Sequence, residues 1–466
     1  MNQTTVREYI EAVRAGDVNV AEFIAEVMEK SRKIQERYSP FITLSEKPAA
    51  KPTKRGMIPG LPISVKDCLC TNGMRTTAGS KILGDYMPPF DATCVKKAKA
   101  EGGIIIGKTA MDEFGFGTFT TNCAYGVPKN PHDPERSCGG SSGGAGCITA
   151  AADFPHVAIA ESTGGSITAP AAFTGTVGLT PTYGRVSRYG LIDYANSLDK
   201  IGVISKSVYD SALMLSVMSG HDPLDSTSSD KASEDFTKFE GKDVKGMRLG
   251  IPKEYMSEGV DARIRRALMA QADRLAALGA KISEVSLPMT EYALPSYYLI
   301  AISEASTNLA RYCGLRYGMQ GEMAGMDSDR YFSKVRTDGF GDEAKRRILL
   351  GTYARMAGFR DAYYLKALRV RTKIINEFKA AFKSLDALIA PSMPVLPPRL
   401  SDIKELTPIE TYNMDILTIG PNMAGIPTLS VPMGKAEGLP MGMQIIADHF
   451  DEGKLIAIGS SLEVIG

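Results

Sequence analysis

Residues 137–170, SCGGSSGGAGCITAAADFPHVAIAESTGGSITAP, contain two short clusters in which serine is flanked by glycine. Ser141 and Ser142 lie in the first cluster, and Ser166 lies in the second. Glycine on both sides of a serine lets the backbone approach a ligand closely and lets several N–H groups converge on one point. A nucleophilic serine beside an oxyanion-binding loop requires these properties, so the stretch predicts an enzymatic site.

The segment between the two clusters indicates how they are held. Residues 145–152 are rich in alanine and predict a helix, whereas 157–160 form a short apolar run that predicts a buried strand. Ser166 is therefore expected just after a strand.

Outward from this stretch, short apolar segments alternate with helical ones. Further strands are predicted at 62–65, 104–106, 176–179, 247–251, 281–285 and 385–390. Further helices are predicted at 92–101, 207–218, 261–279, 295–317 and 341–384. This alternation is typical of an α/β fold whose sheet is covered on both faces.

The N-terminal region has a different pattern. Residues 4–38 have the apolar spacing of two helices, separated at Gly16 and Asp17. We interpret residues 1–58 as a helical N-terminal cap. No change in composition marks a second domain, so we expect a single domain over residues 1–466.

Composition excludes several classes of protein. The 54 basic and 53 acidic residues leave a formal net charge of +1, so no global field attracts nucleic acid, and an RNA partner needs a local patch or another subunit. The seven cysteines are scattered without CxxC spacing, which predicts neither a disulfide framework nor a metal site. The N-terminus lacks the apolar core of a secretion signal, and no later segment has the length of a membrane span. We therefore expect a soluble cytoplasmic protein without a membrane partner.

Two motif matches are discounted. Residues 102–109, GGIIIGKT, fit the phosphate-binding pattern GxxxxGK[ST], but three consecutive isoleucines belong in a buried strand rather than in a phosphate loop. Residues 139–143, GGSSG, fit the nucleophile elbow of α/β-hydrolases, which requires a later histidine. Among the four histidines, His449 is the one placed where such a base could lie, so a Ser-His hydrolase stays open as an alternative.

Lys66 is the base that the sequence offers instead. It ends an otherwise apolar strand in GLPISVKD, residues 60–67. A lysine there either extends to water, which is the usual outcome, or is buried and functional. Because burial disfavours the charged form, a buried Lys66 is expected to act as a general base near neutral pH.

Four segments in this order resemble one known family. They are GLPISVKD at 60–67, GGSSGG at 139–144, TGGSI at 163–167 and VGLTPTYGRVSRYGL at 177–191. Together they resemble the amidase signature family, whose members use a Ser-Ser-Lys triad without histidine. The resemblance implies an α/β fold with a mixed central sheet covered by helices on both faces.

The resemblance also implies roles for individual residues. Lys66 corresponds to the base, Ser166 to the nucleophile and Ser141 to a bridging serine on a cis peptide. Ser142 corresponds to a supporting hydrogen-bonding residue. The backbone N–H groups of Thr163, Gly164, Gly165 and Ser166 correspond to the oxyanion hole.

Later segments resemble one branch of the family. They are NSLDKIG at 196–202, SEASTNLARYCGLRYG at 303–318 and GDEAKRRILLGTYA at 341–354. The resemblance is to the glutaminase subunits of tRNA-dependent amidotransferases. It implies glutamine as substrate, B and C partner subunits in a heterotrimer, and amidation of Glu-tRNA(Gln) or Asp-tRNA(Asn). It implies no cofactor in this chain, with ATP and Mg in a partner that also makes most contacts with the mischarged tRNA.

Substrate-binding residues follow from the same branch. By position, Arg347 and Asp415 correspond to the residues that hold the carboxylate and the ammonium of the amino acid, and Tyr298 lines the same pocket. An α-amino acid needs one group of each charge, and arginine binds a carboxylate through two hydrogen bonds.

The chain departs from the family beside the second serine cluster. Ser162 replaces the usual Asp, and Thr168 replaces the usual Arg. We interpret their joint absence as loss of a structural charge pair.

Two alternative functions stay open, namely a stand-alone amidase acting on another small amide and a catalytically silent assembly protein.

Overall fold

Helices and short strands alternate along the chain in the computed structural model, which describes residues 5–46, 48 and 55–463. The α-helices are α1 Val6–Ala15, α2 Val20–Tyr38, α3 Thr93–Ala100, α4 Gly143–Ala151, α5 Thr168–Thr174, α6 Val208–Met218, α7 Ala262–Ala277, α8 Thr290–Asn308, α9 Ser328–Gly339, α10 Asp342–Arg355, α11 Lys366–Ala381, α12 Leu400–Ile403, α13 Pro408–Asn413, α14 Ile416–Ala424 and α15 Glu452–Glu463. The strands are β1 Phe41–Leu44, β2 Pro62–Lys66, β3 Ile104–Thr109, β4 Lys129–Asn130, β5 Asp133–Ser137, β6 Val157–Ser162, β7 Val177–Thr180, β8 Lys200–Ser205, β9 Arg248–Pro252, β10 Lys281–Val285, β11 Ala387–Pro391, β12 Thr428–Ala436 and β13 Leu439–Ile446.

One mixed sheet organises the molecule. Within the described residues it has eleven strands in the order β1-β3-β2-β6-β8-β7-β12-β13-β11-β9-β10. Strands β3, β2 and β6 run parallel, as do β11, β9 and β10, whereas the strands between β6 and β11 pair antiparallel. The predicted α/β fold with a mixed central sheet is confirmed.

Burial shows that both faces of the sheet are covered. Every residue of β2, β6, β7, β8 and β13 is buried. Successive side chains of a strand point to opposite faces, so a strand buried along its whole length has a layer on each side. Helix α4 packs on β6, and α5 packs on β12 and β13.

The segment that matched a phosphate loop is strand β3. Its six residues are buried, and β3 pairs with β1 on one side and β2 on the other. The prediction that the three isoleucines form a buried strand is confirmed, and this segment offers no phosphate loop.

The N-terminal region contributes to the sheet as well as covering it. Helix α1 ends at Ala15, and Gly16, which has a positive φ of 92°, caps its C-terminus. Asn19 caps the N-terminus of α2. The predicted break between the two helices is confirmed. Beyond α2, strand β1 adds to the edge of the main sheet beside β3. The segment 1–58, expected to be helical, thus also supplies an edge strand; its residues 1–4, 47 and 49–54 lie outside the described residues.

Two long predicted helices are shorter or interrupted. Residues 341–384 form α10, a π-helical turn at Asp361–Leu365, and α11. The interruption contains Gly358, whose φ of 89° is incompatible with a continuing right-handed helix. Helix α8 begins at Thr290 and ends at Asn308, and a short 3₁₀ turn follows it, so the helix predicted over 295–317 is wrong at both ends.

The parallel pairing of β2 with β6 positions the two halves of the site. Ile63 lies opposite Val157 and Val65 lies opposite Ile159, so both strands end at the same edge of the sheet. Lys66 is the last residue of β2, and the loop carrying Ser166 follows β6 directly. The topology therefore brings Lys66 to the second serine cluster.

Candidate active site

Lys66 is buried completely at the end of β2. Its Nζ donates hydrogen bonds to Ser141 Oγ at 2.8 Å, to the Glu161 carbonyl oxygen at 3.0 Å and to Glu161 Oε2 at 2.8 Å. The structure thus brings together the lysine and the first serine that the sequence predicted to interact.

The first serine cluster enters the site through a tightly packed turn. The Gly140–Ser141 peptide bond is cis, and Ser141 is fully buried. A Cβ on Gly140 would lie 2.5 Å from the Phe119 backbone nitrogen, so only glycine fits there. Ser142 Oγ donates to the Glu161 carbonyl at 3.0 Å, the same oxygen that accepts from Lys66. Ser142 therefore braces the carbonyl that helps to hold Lys66.

The second cluster is a buried loop in which several N–H groups lack a hydrogen-bond partner. The backbone N–H groups of Gly164, Gly165 and Ser166 form no hydrogen bond with any described residue. Ser166 Oγ likewise has no hydrogen-bond partner among the described residues, and Ser166 is 7% exposed. Donors without partners beside an accessible hydroxyl can bind an oxyanion.

Glycine is required in this loop by its neighbours. A Cβ on Gly165 would lie 2.4 Å from Thr418 Oγ1, and one on Gly164 would lie 3.0 Å from the Tyr297 hydroxyl. Thr418 belongs to α14, and Tyr297 belongs to α8. The loop therefore packs directly on the helices that adjoin Asp415 and carry Tyr298.

The structure groups Arg347, Tyr298 and Asp415 as one pocket. The Tyr298 ring lies 5.3 Å from the Arg347 guanidinium carbon, and its hydroxyl donates to Asp415 Oδ2 at 3.3 Å. Thr118 Oγ1 donates to the same oxygen at 2.9 Å. Burial raises the pKa of Asp415 to about 7, although these two hydrogen bonds oppose the rise.

Arg347 is held by partners that the sequence did not indicate. Its Nε donates to Glu343 Oε1 at 2.8 Å, its Nη1 donates to the Tyr194 hydroxyl, and Tyr412 lies under its guanidinium at 5.4 Å. Its Nη2 has no hydrogen-bond partner among the described residues and is available to a carboxylate. Arg347 and Glu343 line a cavity of about 620 Å³.

Tyr194 connects this pocket with the serines. A Cβ on Gly115 would lie 3.6 Å from both Ser141 Oγ and Tyr194 Cδ1, so the side chains of Ser141 and Tyr194 both pack against Gly115. The hydroxyl of Tyr194 accepts from Arg347. Tyr194 therefore lies between Arg347 and the turn that holds Ser141.

Glu161 is the residue of the centre that sequence reasoning missed. It lies in β6 with its side chain 4% exposed and forms an ion pair with Lys66. The sequence did offer a signal, because Glu161 is the one acidic residue in the apolar run VAIAES. It directly precedes Ser162, the position at which the family usually has Asp. Ser162 itself donates to the Gly164 carbonyl at 2.9 Å and closes the loop locally, and Thr168 is buried in the first turn of α5.

Histidines lie elsewhere. His449 contacts Asp448 and the Ala424 carbonyl, and it forms no hydrogen bond with Ser141 or Ser166. His156 is buried against Ser64, and burial lowers the pKa of its imidazole to about 3. In the described part of the chain, no group of three His, Cys, Asp or Glu residues is arranged to hold a metal ion. There is also no helix in that part that is long and apolar enough to cross a membrane.

Comparison with known proteins shows which family the chain belongs to. The Amidase family model matches residues 5–456. The chain belongs to the amidase family. It is 46% identical to the A subunit of glutamyl-tRNA(Gln) amidotransferase from Halothermothrix orenii over 464 residues, covering 98% of this chain and 96% of the relative.

Solved structures extend the comparison. A crystal structure of the glutamyl-tRNA(Gln) amidotransferase A subunit from Thermotoga maritima is 36% identical, with a TM-score of 0.80, over 93% of this chain and 89% of that chain. A 6-aminohexanoate cyclic dimer hydrolase shares the fold, with a TM-score of 0.87 at 24% identity over 99% and 97% of the two chains. The family resemblance drawn from the sequence is confirmed, and so is its branch among the amidotransferase A subunits.

Proposed function

We propose that this chain is the glutaminase subunit of a tRNA-dependent amidotransferase. It hydrolyses glutamine through Lys66, Ser141 and Ser166 and supplies ammonia for amidation of Glu-tRNA(Gln) or Asp-tRNA(Asn). The observation that carries the chemistry is the 2.8 Å hydrogen bond between Lys66 Nζ and Ser141 Oγ. The relatives named as amidotransferase A subunits support the choice of reaction.

The chemistry is a two-stage acyl transfer. Neutral Lys66 accepts the proton of Ser141 while Ser141 accepts that of Ser166, whose Oγ attacks the side-chain carbonyl carbon of glutamine. The N–H groups of Thr163, Gly164, Gly165 and Ser166 hold the oxyanion. The proton returns to the amide nitrogen, the C–N bond breaks, and ammonia leaves. Water then cleaves the γ-glutamyl ester on Ser166 to give glutamate.

Glutamine is oriented by the charged pocket. Arg347 Nη2 binds the α-carboxylate and Asp415 binds the α-ammonium, while Tyr298 holds Asp415 in place. Burial raises the pKa of the Tyr298 hydroxyl well above its ordinary value, so it stays a donor to Asp415. The two charges fix the end of the substrate remote from the amide, which is how a site selects a free amino acid.

The remaining reaction belongs to partners. B and C subunits complete a heterotrimer, and a partner binds ATP and Mg and most of the mischarged tRNA. The near-neutral charge of this chain supports that division, because phosphate contacts require clustered basic residues.

Ser166→Ala tests the proposal in the assembled enzyme. Glutamine hydrolysis and glutamine-dependent tRNA amidation should be lost together, because both need the acyl-enzyme. Added ammonium salt should restore amidation, since the partner's chemistry needs only ammonia. Ser64→Ala is the control, because it removes another buried hydroxyl, from β2, that contacts His156 rather than the serine centre.

Each alternative gives a different result. A stand-alone amidase loses activity in Ser166→Ala but shows no rescue by ammonium. A silent assembly protein shows no loss. Wild-type glutamine-dependent amidation by Ser166→Ala contradicts the proposed mechanism.

A further inference from the structure

The contact between Lys66 and Glu161 bears on how active the serine centre is. A base must offer a lone pair to Ser141, yet Lys66 lies in a buried ion pair whose oxygen and nitrogen are 2.8 Å apart. We propose that Glu161 restrains this site, because its carboxylate holds Lys66 in the ammonium form, which cannot accept the proton of Ser141. The inference rests on the proposed glutaminase function and concerns the rate of that reaction.

The hydrogen bonds around Lys66 match an ammonium. An ammonium has three N–H donors, and Nζ has three acceptors, namely Ser141 Oγ, the Glu161 carbonyl and Glu161 Oε2. A neutral amine can satisfy the same three atoms only by turning its lone pair to Ser141. A carboxylate in contact selects the charged form, because opposite charges attract strongly in a buried site. Glu161 thus works against the form that the reaction uses.

The charge on Glu161 is supported from its other side. Thr163 Oγ1 lies 2.9 Å from Glu161 Oε1 and 2.8 Å from Asp199 Oδ1. A hydroxyl has one proton, so it donates to one carboxyl group and must accept from the other. Burial, together with the charge of Glu161, raises the pKa of Asp199 well above its ordinary value. The backbone N–H groups of Tyr194 and Ala195 also donate to the Asp199 carboxyl group. Thr163 therefore links the two carboxyl groups, and Glu161 Oε1 has a hydrogen-bond partner on the side away from Lys66.

Other titratable groups face the same centre. Burial raises the pKa of Asp112 to about 6, and burial raises the pKa of the Cys68 thiol well above its ordinary value. The Cys68 thiol is therefore uncharged near neutral pH, and neither Asp112 nor Asp199 forms a hydrogen bond with Lys66. Glu161 is therefore the charge in direct contact with Lys66.

Glu161→Gln tests the restraint, because it keeps the shape of the side chain and removes the charge. The assembled enzyme is assayed with saturating glutamine, so that kcat reports the serine centre rather than substrate binding. We expect kcat near pH 7 to rise about tenfold or more, and the acidic limb of its pH profile to move down by about one unit or more. A residue that merely supports the fold gives a lower kcat.

Three further variants serve as a second test and as controls. Glu161→Ser removes the charge with a smaller side chain and should raise kcat as well, which keeps the test valid if Glu161→Gln folds poorly. Glu161→Asp keeps the charge and should stay within about threefold of wild type. Glu452→Gln removes the carboxylate of another buried ion pair, 3.0 Å from Arg185, and should leave kcat unchanged.

The outcome separates the two proposals. An unchanged or lower kcat in both Glu161→Gln and Glu161→Ser overturns the restraint, even when Ser166→Ala is inactive and rescued by ammonium. Activity that persists in Ser166→Ala overturns the glutaminase mechanism itself. The double variant Ser166→Ala/Glu161→Gln should be inactive, because the added rate passes through the same nucleophile.

Discussion

Two lysines on neighbouring strands show how similar burial leads to different roles. Lys66 ends β2, and Lys108 lies in β3 opposite Val65. Both side chains are completely buried, and each has a carboxylate nearby, Glu161 Oε2 at 2.8 Å from Lys66 and Asp67 Oδ1 at 3.7 Å from Lys108. Exposure and charge environment alone do not distinguish them.

Their hydrogen-bond partners do. Lys108 Nζ donates to the Leu69 carbonyl at 2.6 Å and to Thr76 Oγ1 at 2.8 Å, which ties the chain following β2 to β3. Burial lowers the pKa of Lys108, and the charge of Asp67 opposes that change. Lys66 instead donates to Ser141, which lies in a glycine-rich turn. A buried lysine thus becomes a candidate base through the hydroxyl that it contacts.

The largest expected effect comes from Lys66→Ala. Glutamine hydrolysis should fall at least about a thousandfold, because the general base is gone. The variant also leaves Glu161 buried without its partner, which costs about 3 kcal/mol of unfolding free energy. Denaturant unfolding and kcat measure the two effects. The double variant Lys66→Ala/Glu161→Gln should regain unfolding free energy but remain inactive in glutamine hydrolysis. Activity in this double variant would contradict Lys66 as the base and make His449 the next residue to test.

Lys108→Met is the matching change in β3. It should lower the free energy of unfolding by about 3 kcal/mol, since Asp67 loses its charge partner. The folded fraction should keep kcat within about threefold of wild type, because Lys108 contacts no serine of the centre. A collapse of kcat in folded Lys108→Met would remove the distinction between the lysines.

Arg347→Ala and Asp415→Ala extend the comparison to a charged pocket. Each should raise KM for glutamine, since loss of a buried charged partner costs about 2–5 kcal/mol of binding. The value of kcat should change less where ground state and transition state share the contact. Steady-state kinetics over a range of glutamine concentrations give both constants, and an unaltered KM in both variants removes these residues from the pocket.

The pH dependence sharpens this assignment. Asp415 binds an ammonium only as a carboxylate, and burial raises its pKa to about 7 in the free enzyme. As pH falls below about 7 the carboxylate fraction of Asp415 falls, which should lower kcat/KM about tenfold per pH unit in addition to the effect of protonating Lys66. Asp415→Asn should lower kcat/KM at higher pH and make the acidic limb shallower, leaving the part that belongs to Lys66, and an unchanged slope in Asp415→Asn would assign the Asp415 part to another group.

The smallest effect is expected from His449→Ala. The imidazole contacts the Ala424 carbonyl, so its loss costs about 1 kcal/mol of unfolding free energy. The value of kcat/KM should stay within about twofold of wild type. A loss of activity without unfolding would favour the Ser-His hydrolase over the lysine-based centre.

Much of the fold was predictable because local patterns carry it. The apolar runs around 62–65 and 157–160 are strands whose burial requires two covering layers, and residues 281–285 form β10 with the predicted bounds. Strand β1 was missed because an edge strand is partly exposed and lacks a continuous apolar run. The interruption near Gly358 was missed because a single glycine in a sequence is compatible with a helix and does not by itself predict a break. Helix α5 was missed because its seven residues are too few to show a periodic face.

The sequence by itself determined the family, the glycine-flanked serines and the lysine at a strand end, because these are properties of local composition and order. Only the tertiary structure decided which charges meet. Glu161 reaches Lys66 because β2 and β6 pair in parallel and end together, although 95 residues separate the two in sequence. Such a contact depends on strand register and on the packing of distant segments. The hydrogen-bond partners of Lys66 therefore become visible only once the chain is folded.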